Sequence, residues 1–279
     1  MQSSALVATL ATLLIGCGGQ EKQENAAPDP TGRSYEEYLK QGQDPTKTEP
    51  LSAPGDAAAS NIPDAMVAHF IDVGQGAATL LEFPCGAILI DTGGEHNEAF
   101  DSEPQLISFL KEFFERRSDL DRTLDALVIS HPHIDHTRSI PAVLRTFRIR
   151  NVIDNGDVQD DIGGRPQIAL HQWIYDRNQE IAKRNAGFGA LVDVSSEDID
   201  DKGLTNSIID PIPACPASEV DPQIRSLWGM RLGRREKGHN ANNDSVVLRV
   251  DYGKTSALLS GDLELLSIAW MSKHYKDNL

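Results

Sequence analysis

One stretch of the chain limits what it can fold into and do. A short apolar run, residues 126–129, is typical of a buried strand because it is brief, rich in β-branched residues and ends at a polar turn. His131, His133, Asp135 and His136 follow it directly. Imidazole and carboxylate side chains together suit zinc and related divalent metals, and the end of a strand holds such ligands in fixed positions. The sequence therefore predicts a metal site at the end of this strand.

The His-x-His-x-Asp-His pattern of residues 131–136 resembles the central signature of the metallo-β-lactamase superfamily. Residues 71–76 and 88–94 resemble the opening strands of its branch typified by the soluble domain of the ComEC/Rec2 DNA-uptake proteins, and residues 243–264 resemble the later hairpin of that branch. The resemblance covers roughly residues 66 to 270. It implies an α/β fold, the αββα sandwich of this superfamily, with two metals in most members.

The resemblance also implies which residues bind metal. His131 and His133 would hold a first metal with a later histidine, and Asp135 and His136 would hold a second metal with a last histidine. Asp262 resembles the carboxylate that bridges both metals.

Two further roles follow from the resemblance. Asp91 stands where the family has an aspartate that supports the site by hydrogen bonding. His239 is the candidate for the third ligand of the first metal, and Asn242 or Asn243 competes with it, since nearer relatives often have asparagine in this region.

The expected cofactor is a divalent metal, in one or two ions, with zinc ahead of manganese. Two metals would share a water, lower its pKa and stabilise an oxyanion. Asp135 could orient that water or take its proton, which makes it the candidate catalytic residue. Such a site is built for hydrolysis.

The charge of the chain bears on the substrate. With a formal net charge of −16, the protein lacks the broad basic surface that tight duplex binding needs. This charge still permits a small anionic substrate or a single strand held through metals. Arg231, Arg234 and Arg235 belong to a basic cluster that is either a solvated loop or a grip for phosphate. The resemblance to the ComEC/Rec2 branch, together with this cluster, implies a phosphodiester or nucleic-acid-type substrate. The alternatives are hydrolysis of an ester, lactone or β-lactam, and a lipoprotein whose degenerate site serves binding.

The N-terminal region indicates a place in the cell envelope. Residues 5–15 are apolar but too few to span a bilayer, which fits the core of a signal peptide over residues 1–17. Residues 14–17 resemble a bacterial lipobox, which would lipidate Cys17 and anchor the protein to a membrane on its periplasmic or outer face. No Lys or Arg precedes the apolar run, so ordinary secretion or a cytoplasmic hydrophobic N-terminus stay open.

The chain is predicted to consist of three segments, of which only the last is a folded domain. Residues 18–65 are rich in Pro, Gly, Gln and acidic residues and are expected to form a disordered tether after the signal peptide, followed by the metallo-β-lactamase-fold domain over 66–279. Relatives continue past the last hairpin with a helix, a strand and a histidine. Here residues 263–276 supply the helix and Leu279 ends the chain. We expect a missing C-terminal strand, an unpaired sheet edge and an incomplete second metal site, from a truncated gene or a shortened one-metal protein.

The remaining expectations concern local structure. Cys85 and Cys215 could form a disulfide outside the cytoplasm, but two unpaired cysteines are the simpler expectation. Residues 166–186 are predicted to be helical, with Ile168, Trp173, Ile174 and Ile181 on one face and His171 on the solvated surface. Strands are expected over 66–72, 77–83, 86–90 and 151–154, and helices over 104–117 and 140–147.

Overall fold

A computed structural model of the protein describes residues 65–157, 166–174, 191–195, 198–216, 218–229 and 240–276. Its first sheet has six strands in sequence order: β1 (Val67–Phe70), β2 (Thr79–Phe83), β3 (Gly86–Ile90), β4 (Thr123–Val128), β5 (Arg148–Asp154) and β6 (Leu191–Asp193). The first two pairs are antiparallel, and the pairs from β3 to β6 are parallel. The carboxyl ends of β3, β4 and β5 therefore meet at one edge of the sheet.

The second sheet is an antiparallel meander of β7 (Gln223–Trp228), β8 (Val247–Tyr252) and β9 (Thr255–Leu259). Among the described residues, β9 pairs with β8 on one side and with no strand on the other. Leu258 of β9 is exposed, and so are Leu265 and Leu266, which follow the strand in the chain.

Helices pack against both sheets. They are α1 (Ser102–Arg116), α2 (Ile134–Thr137), α3 (Ile140–Thr146), α4 (residues 166–174) and α5 (Leu265–His274), with short 3-10 helices at Ser118–Leu120 and Ala241–Asp244. One apolar cluster joins the first sheet to α1, α3 and α4, and a second fills the space between the sheets and reaches α5. This layering confirms the expected αββα sandwich. None of these helices is long and apolar enough to cross a membrane.

Helix α1 shows how sequence sets an element. Its apolar face buries Leu106, Leu110, Phe113 and Phe114 at the spacing of an amphipathic helix. It begins two residues earlier than the sequence indicated, because the side chain of Asp101 accepts a hydrogen bond from the backbone N–H of Glu103 and caps it.

The cysteine expectation was wrong. Cys85 and Cys215 form a disulfide whose Cα atoms lie 5.5 Å apart, although 130 residues separate them along the chain. Cys85 follows β2 in the first sheet, and Cys215 lies in the loop that leads to β7. The bond therefore joins the first sheet to the segment that enters the second.

The expected face of α4 was also wrong. Leu170 and Ile174 are buried in the core, but Ile168 is 37% exposed. Six positions rotate a helix by about 600°, so Ile168 and Ile174 point about 120° apart and face different surroundings. His171 is not a plain surface residue either, because it is half-buried and forms an ion pair with the fully buried Asp154. Ile181 lies outside the described residues.

Candidate metal centre

The metal-ligand motif lies at the carboxyl end of β4, where the two sheets approach each other. Ser130 and His131 extend from the strand, and the remaining motif residues form the turn into α2 and its first residues. The backbone N–H of Val246, which leads into β8, donates to the carbonyl of Ser130 at 2.8 Å and ties this edge to the second sheet.

Three side chains offer ligand atoms to a common point. The donor atoms of His131, His136 and Asp262 all lie within 4.8 Å of one another, and Asp262 Oδ2 is 3.4 Å from His136 Nε2. Both histidines are buried, whereas the Asp262 side chain is 45% exposed. The group is therefore closed on the protein side and open to solvent at Asp262.

His133 and Asp135 extend this group. His133 Nδ1 lies 3.0 Å from His131 Nε2, so the two rings present a nitrogen each to one point. Asp135 Oδ2 lies 3.9 Å from His136 Nε2, and its side chain is 27% exposed. The structure thus brings together His131, His133, Asp135, His136 and Asp262, although they come from two sheets.

Two glycine-rich turns hold the ligand loop in place. Ala77 N–H donates to the carbonyl of Asp135 at 3.2 Å, and Thr92 N–H donates to that of His136 at 2.8 Å. Gly76 packs against the same carbonyl of Asp135, since a Cβ there would lie 2.1 Å from the oxygen. The motifs at residues 71–76 and 91–94 therefore clamp the backbone of the loop rather than provide ligands.

Asp91 lies behind the histidines and supports them. Its Oδ1 accepts the backbone N–H of Ser130 at 2.7 Å, and its Oδ2 lies 2.8 Å from both Ser130 Oγ and His136 Nδ1. It is fully buried at the end of β3, with a left-handed φ of 58° that turns the chain away from the sheet. A hydrogen bond at Nδ1 leaves Nε2 of His136 directed at the site.

The two buried histidines differ in their charge. Burial lowers the pKa of His131 to about 3, the charge of His136 adds to the lowering, and the nearby Asn242 side chain opposes it. Burial also acts to lower the pKa of His136, but the hydrogen bond and charge of Asp91, with the charges of Asp262 and Asp135, raise it to about 9. In the metal-free protein at neutral pH, His136 therefore carries a positive charge and His131 is neutral.

Asn242 has the free oxygen that a third ligand needs. Its Oδ1 is buried without a hydrogen-bond partner among the described residues, and its Nδ2 donates to Glu264 Oε1 at 3.0 Å. Asn243 Oδ1 is likewise buried and without a hydrogen-bond partner in the described part of the chain, whereas the side chain that acts on the pKa of His131 is that of Asn242. A carbonyl oxygen and imidazole nitrogens fit a divalent metal, so this donor set is compatible with the expected cofactor.

Several expected site residues cannot be placed. His239, Arg231, Arg234 and Arg235 lie outside the described residues, and so does Cys17.

Sequence reasoning missed two residues of the site. Ser130 and Ser245 both approach His131 Nδ1, at 3.1 and 3.4 Å. Ser130 is adjacent to the histidine motif, so its position could have been inferred from the strand end. Ser245 lies just before β8 of the second sheet. The only feature of the sequence that could have indicated its role is its place in the Asn-Asp-Ser segment.

Comparisons with known proteins find two solved structures with partial similarity to this chain. The chain is similar to CmlA, a diiron β-hydroxylase from Streptomyces venezuelae (17% identity, TM-score 0.41, 77% of this chain and 33% of that one). It is also similar to YhfI, a metallo-β-lactamase-fold protein from Bacillus subtilis (13% identity, TM-score 0.36, 71% of this chain and 62% of that one). It thus spans about a third of CmlA and less than two thirds of YhfI.

A search of curated proteins gives no match. The family model of the metallo-β-lactamase superfamily matches residues 71–273, which include every described strand except β1, the histidine motif and Asp262. The chain belongs to the metallo-β-lactamase superfamily.

Proposed function

We propose that the protein is a metal-dependent hydrolase whose site is the cluster around His131. The observation that carries the proposal is the convergence of nitrogen and carboxylate ligand atoms from His131, His136 and Asp262 within 4.8 Å, with His133 Nδ1 beside them. Imidazole nitrogens and carboxylate oxygens gathered at one point are the ligand atoms that zinc and related divalent metals prefer.

The chain offers two groups of ligands. His131, His133 and the buried oxygen of Asn242 would hold one divalent ion, with zinc expected ahead of manganese. His136, Asp135 and Asp262 would hold a second, at the solvent-exposed side. A bound divalent ion lowers the pKa of water toward neutrality and polarises a carbonyl or phosphoryl oxygen.

Asp135 is the proposed proton acceptor. Its carboxylate is partly exposed beside the cluster, and the clamp on its backbone carbonyl fixes the loop that carries it. It can take the proton of an attacking water and hold it near Oδ2.

A phosphodiester of the nucleic-acid type is the proposed substrate. The family match does not distinguish branches of the superfamily, so this step rests on the ComEC/Rec2-like motifs and on positive charge near the site. Arg138 follows the ligand loop and is half-buried, and its Nε donates to the carbonyl of Gly94 at 2.7 Å. Arg231, Arg234 and Arg235 add three further guanidinium groups in the sequence before Asn242.

The test is a parallel measurement of metal content and turnover in the full chain. Elemental analysis would be combined with assays on bis-p-nitrophenyl phosphate, a lactone and a chromogenic β-lactam. We expect bound metal and phosphodiester turnover, with both lost in His131→Ala/His133→Ala. His274→Ala is the matched control, because His274 is exposed and stacks on Trp270 away from the cluster.

Each other outcome points to another function. Turnover of the lactone or β-lactam alone would replace the proposed substrate and keep the chemistry. Bound metal without any turnover would favour a binding lipoprotein. Unchanged metal content in a folded double variant would exclude the cluster as the metal site.

We also propose that the protein acts in the cell envelope, anchored through a lipid on Cys17. The Cys85–Cys215 disulfide supports this placement, because such bonds persist in oxidising compartments. Cys17→Ala should move the protein from the membrane to the soluble fraction, and its retention on membranes would count against lipidation.

A further inference from the structure

Two serine hydroxyls, one from each sheet, lie beside the same nitrogen of His131. Ser130 Oγ is 3.1 Å from His131 Nδ1, and Ser245 Oγ is 3.4 Å from it. Both serines and the histidine are fully buried. Ser130 extends from β4, whereas Ser245 precedes β8, so His131 Nδ1 lies at the junction of the two sheets.

The hydrogen of each hydroxyl is already used. Ser130 Oγ donates to Asp91 Oδ2 at 2.8 Å, and Ser245 Oγ donates to the backbone carbonyl of Asn242 at 2.9 Å. A hydroxyl has one hydrogen, and an ionised carboxylate or a carbonyl can only accept. Toward His131, both serines can therefore act only as acceptors.

We infer that Ser130 and Ser245 are positioning residues that hold His131 in the tautomer protonated at Nδ1, which leaves Nε2 as its metal-binding atom. Neutral imidazole in water favours the opposite tautomer, with the hydrogen on Nε2, so the choice must be imposed by the surroundings. His131 Nε2 is the nitrogen that faces His133 Nδ1 at 3.0 Å, on the side of the cluster. The effect of this tautomer on metal binding rests on the proposed metal site, whereas the tautomer itself is a property of the metal-free protein.

The same contacts connect the histidine to the packing of the sheets. The N–H of Val246 donates to the carbonyl of Ser130 at 2.8 Å, next to Ser245 in the chain. Docking of the second sheet thereby delivers the Ser245 acceptor to a histidine that belongs to the first. Ser130 makes the shorter contact, so its loss should have the larger effect.

The decisive measurement is a long-range ¹H–¹⁵N NMR spectrum of the metal-free full chain at pH 8, where a histidine of ordinary pKa near 6.5 is neutral. The His131 signals would be assigned from their loss in His131→Gln. We expect the pattern of an Nδ1-protonated ring in the parent and a shift toward Nε2 protonation in Ser130→Ala/Ser245→Ala. Ser226→Ala is the matched control, because Ser226 is buried and its hydroxyl contacts only the carbonyls of Trp228 and Val247.

Zinc affinity, measured by competition with a chelator, gives a second readout. The double variant should bind zinc about 10-fold more weakly than the parent, the usual effect of losing contacts that orient a ligand, and Ser226→Ala should not change it. Nε2 protonation of His131 in the parent, or an unchanged ring in the folded double variant, would overturn the inference. If the double variant does not fold, the spectra of Ser245→Ala and of the parent replace it as the test of the tautomer. Nδ1 protonation with no zinc uptake by the parent would instead support the tautomer and overturn the proposed function.

Discussion

Asp91 Oδ2 lies 2.8 Å from His136 Nδ1, at the point where two parallel strands end side by side. The carboxylate accepts from the ring on one side and from Ser130 on the other, and both of its neighbours are buried. It therefore fixes the orientation of His136 and balances its charge. Four of the proposed ligands thus come from the edge of the first sheet, and the second sheet contributes Asp262.

Asp91→Asn should weaken metal binding by about 10- to 100-fold, because the ring loses the negative partner that raises its basicity. Asparagine keeps the size of the side chain and tolerates the left-handed backbone, so the change isolates the charge. Zinc affinity measured by competition with a chelator checks this, with circular dichroism as a control for folding. Parent-like affinity in a folded variant would show that Asp91 does not support the site.

The ionisation of Glu82 should make the free energy of unfolding depend on pH in the acid range. Burial raises the pKa of Glu82, but hydrogen bonds from Arg116, Arg117 and His69 outweigh that effect and lower the pKa to about 2. Since the folded pKa lies below the ordinary value of 4.5, the contribution is fully present above pH 4.5 and is lost as pH falls toward 2. A shift of this size corresponds to about 3 kcal/mol.

Urea unfolding of the parent and of Glu82→Gln between pH 7 and pH 3 tests this. We expect Glu82→Gln to lower the free energy of unfolding by about 3 kcal/mol at pH 7, because the buried Arg117 and the more exposed Arg116 both lose their charge partner. The difference between the two proteins should shrink as the pH falls below 4.5. A difference that stays constant with pH would contradict the assignment.

Reduction of the Cys85–Cys215 disulfide should lower the free energy of unfolding by about 2–4 kcal/mol. The bond closes a loop of 130 residues, and a long closed loop removes much of the freedom of the unfolded chain. Urea midpoints with and without reductant measure the effect, in a Cys17→Ser background that avoids mispairing. Cys85→Ser/Cys215→Ser should be insensitive to reductant, and equal sensitivity of both proteins would argue against the bond.

Local patterns predicted much of the fold. β3 was expected over residues 86–90 and is found there, because a short apolar run between turns leaves few alternatives. The face of α4 was misjudged because apolar residues on two sides of a helix were assigned to one. The disulfide could not be predicted, since composition says nothing about which residues 130 positions apart become neighbours.

Some residues of the site could also be predicted from local sequence, and others could not. His131, His133, Asp135 and His136 are close in sequence, so the strand before them was enough to place them at one point. Asp91 and Asp262 were inferred only through the resemblance. The contacts of Ser245 and Asn242 depend on how the second sheet docks, and no local pattern encodes that packing.

Gly261 precedes Asp262, the exposed member of the proposed ligand set. Gly261 has a left-handed φ of 51°, and a Cβ there would lie 2.8 Å from Cβ of Ser130. Gly253 is a matched control: its φ is 62°, but the nearest side-chain atoms would lie 3.8 Å from an added Cβ. Alanine at either position costs about 1–2 kcal/mol of backbone strain. Only Gly261→Ala adds a clash at the junction of the two sheets.

Gly261→Ala should therefore weaken zinc binding, because relief of the clash moves Asp262 away from His136, whose Nε2 now lies 3.4 Å from the carboxylate. Gly253→Ala should lose a similar amount of stability through strain and keep the zinc affinity of the parent. Thermal unfolding and chelator competition on the two variants separate the effects. Equal zinc affinity in both would mean that the position of Asp262 does not depend on the close approach of Gly261 to Ser130, and that the second sheet reaches the metal site by other contacts.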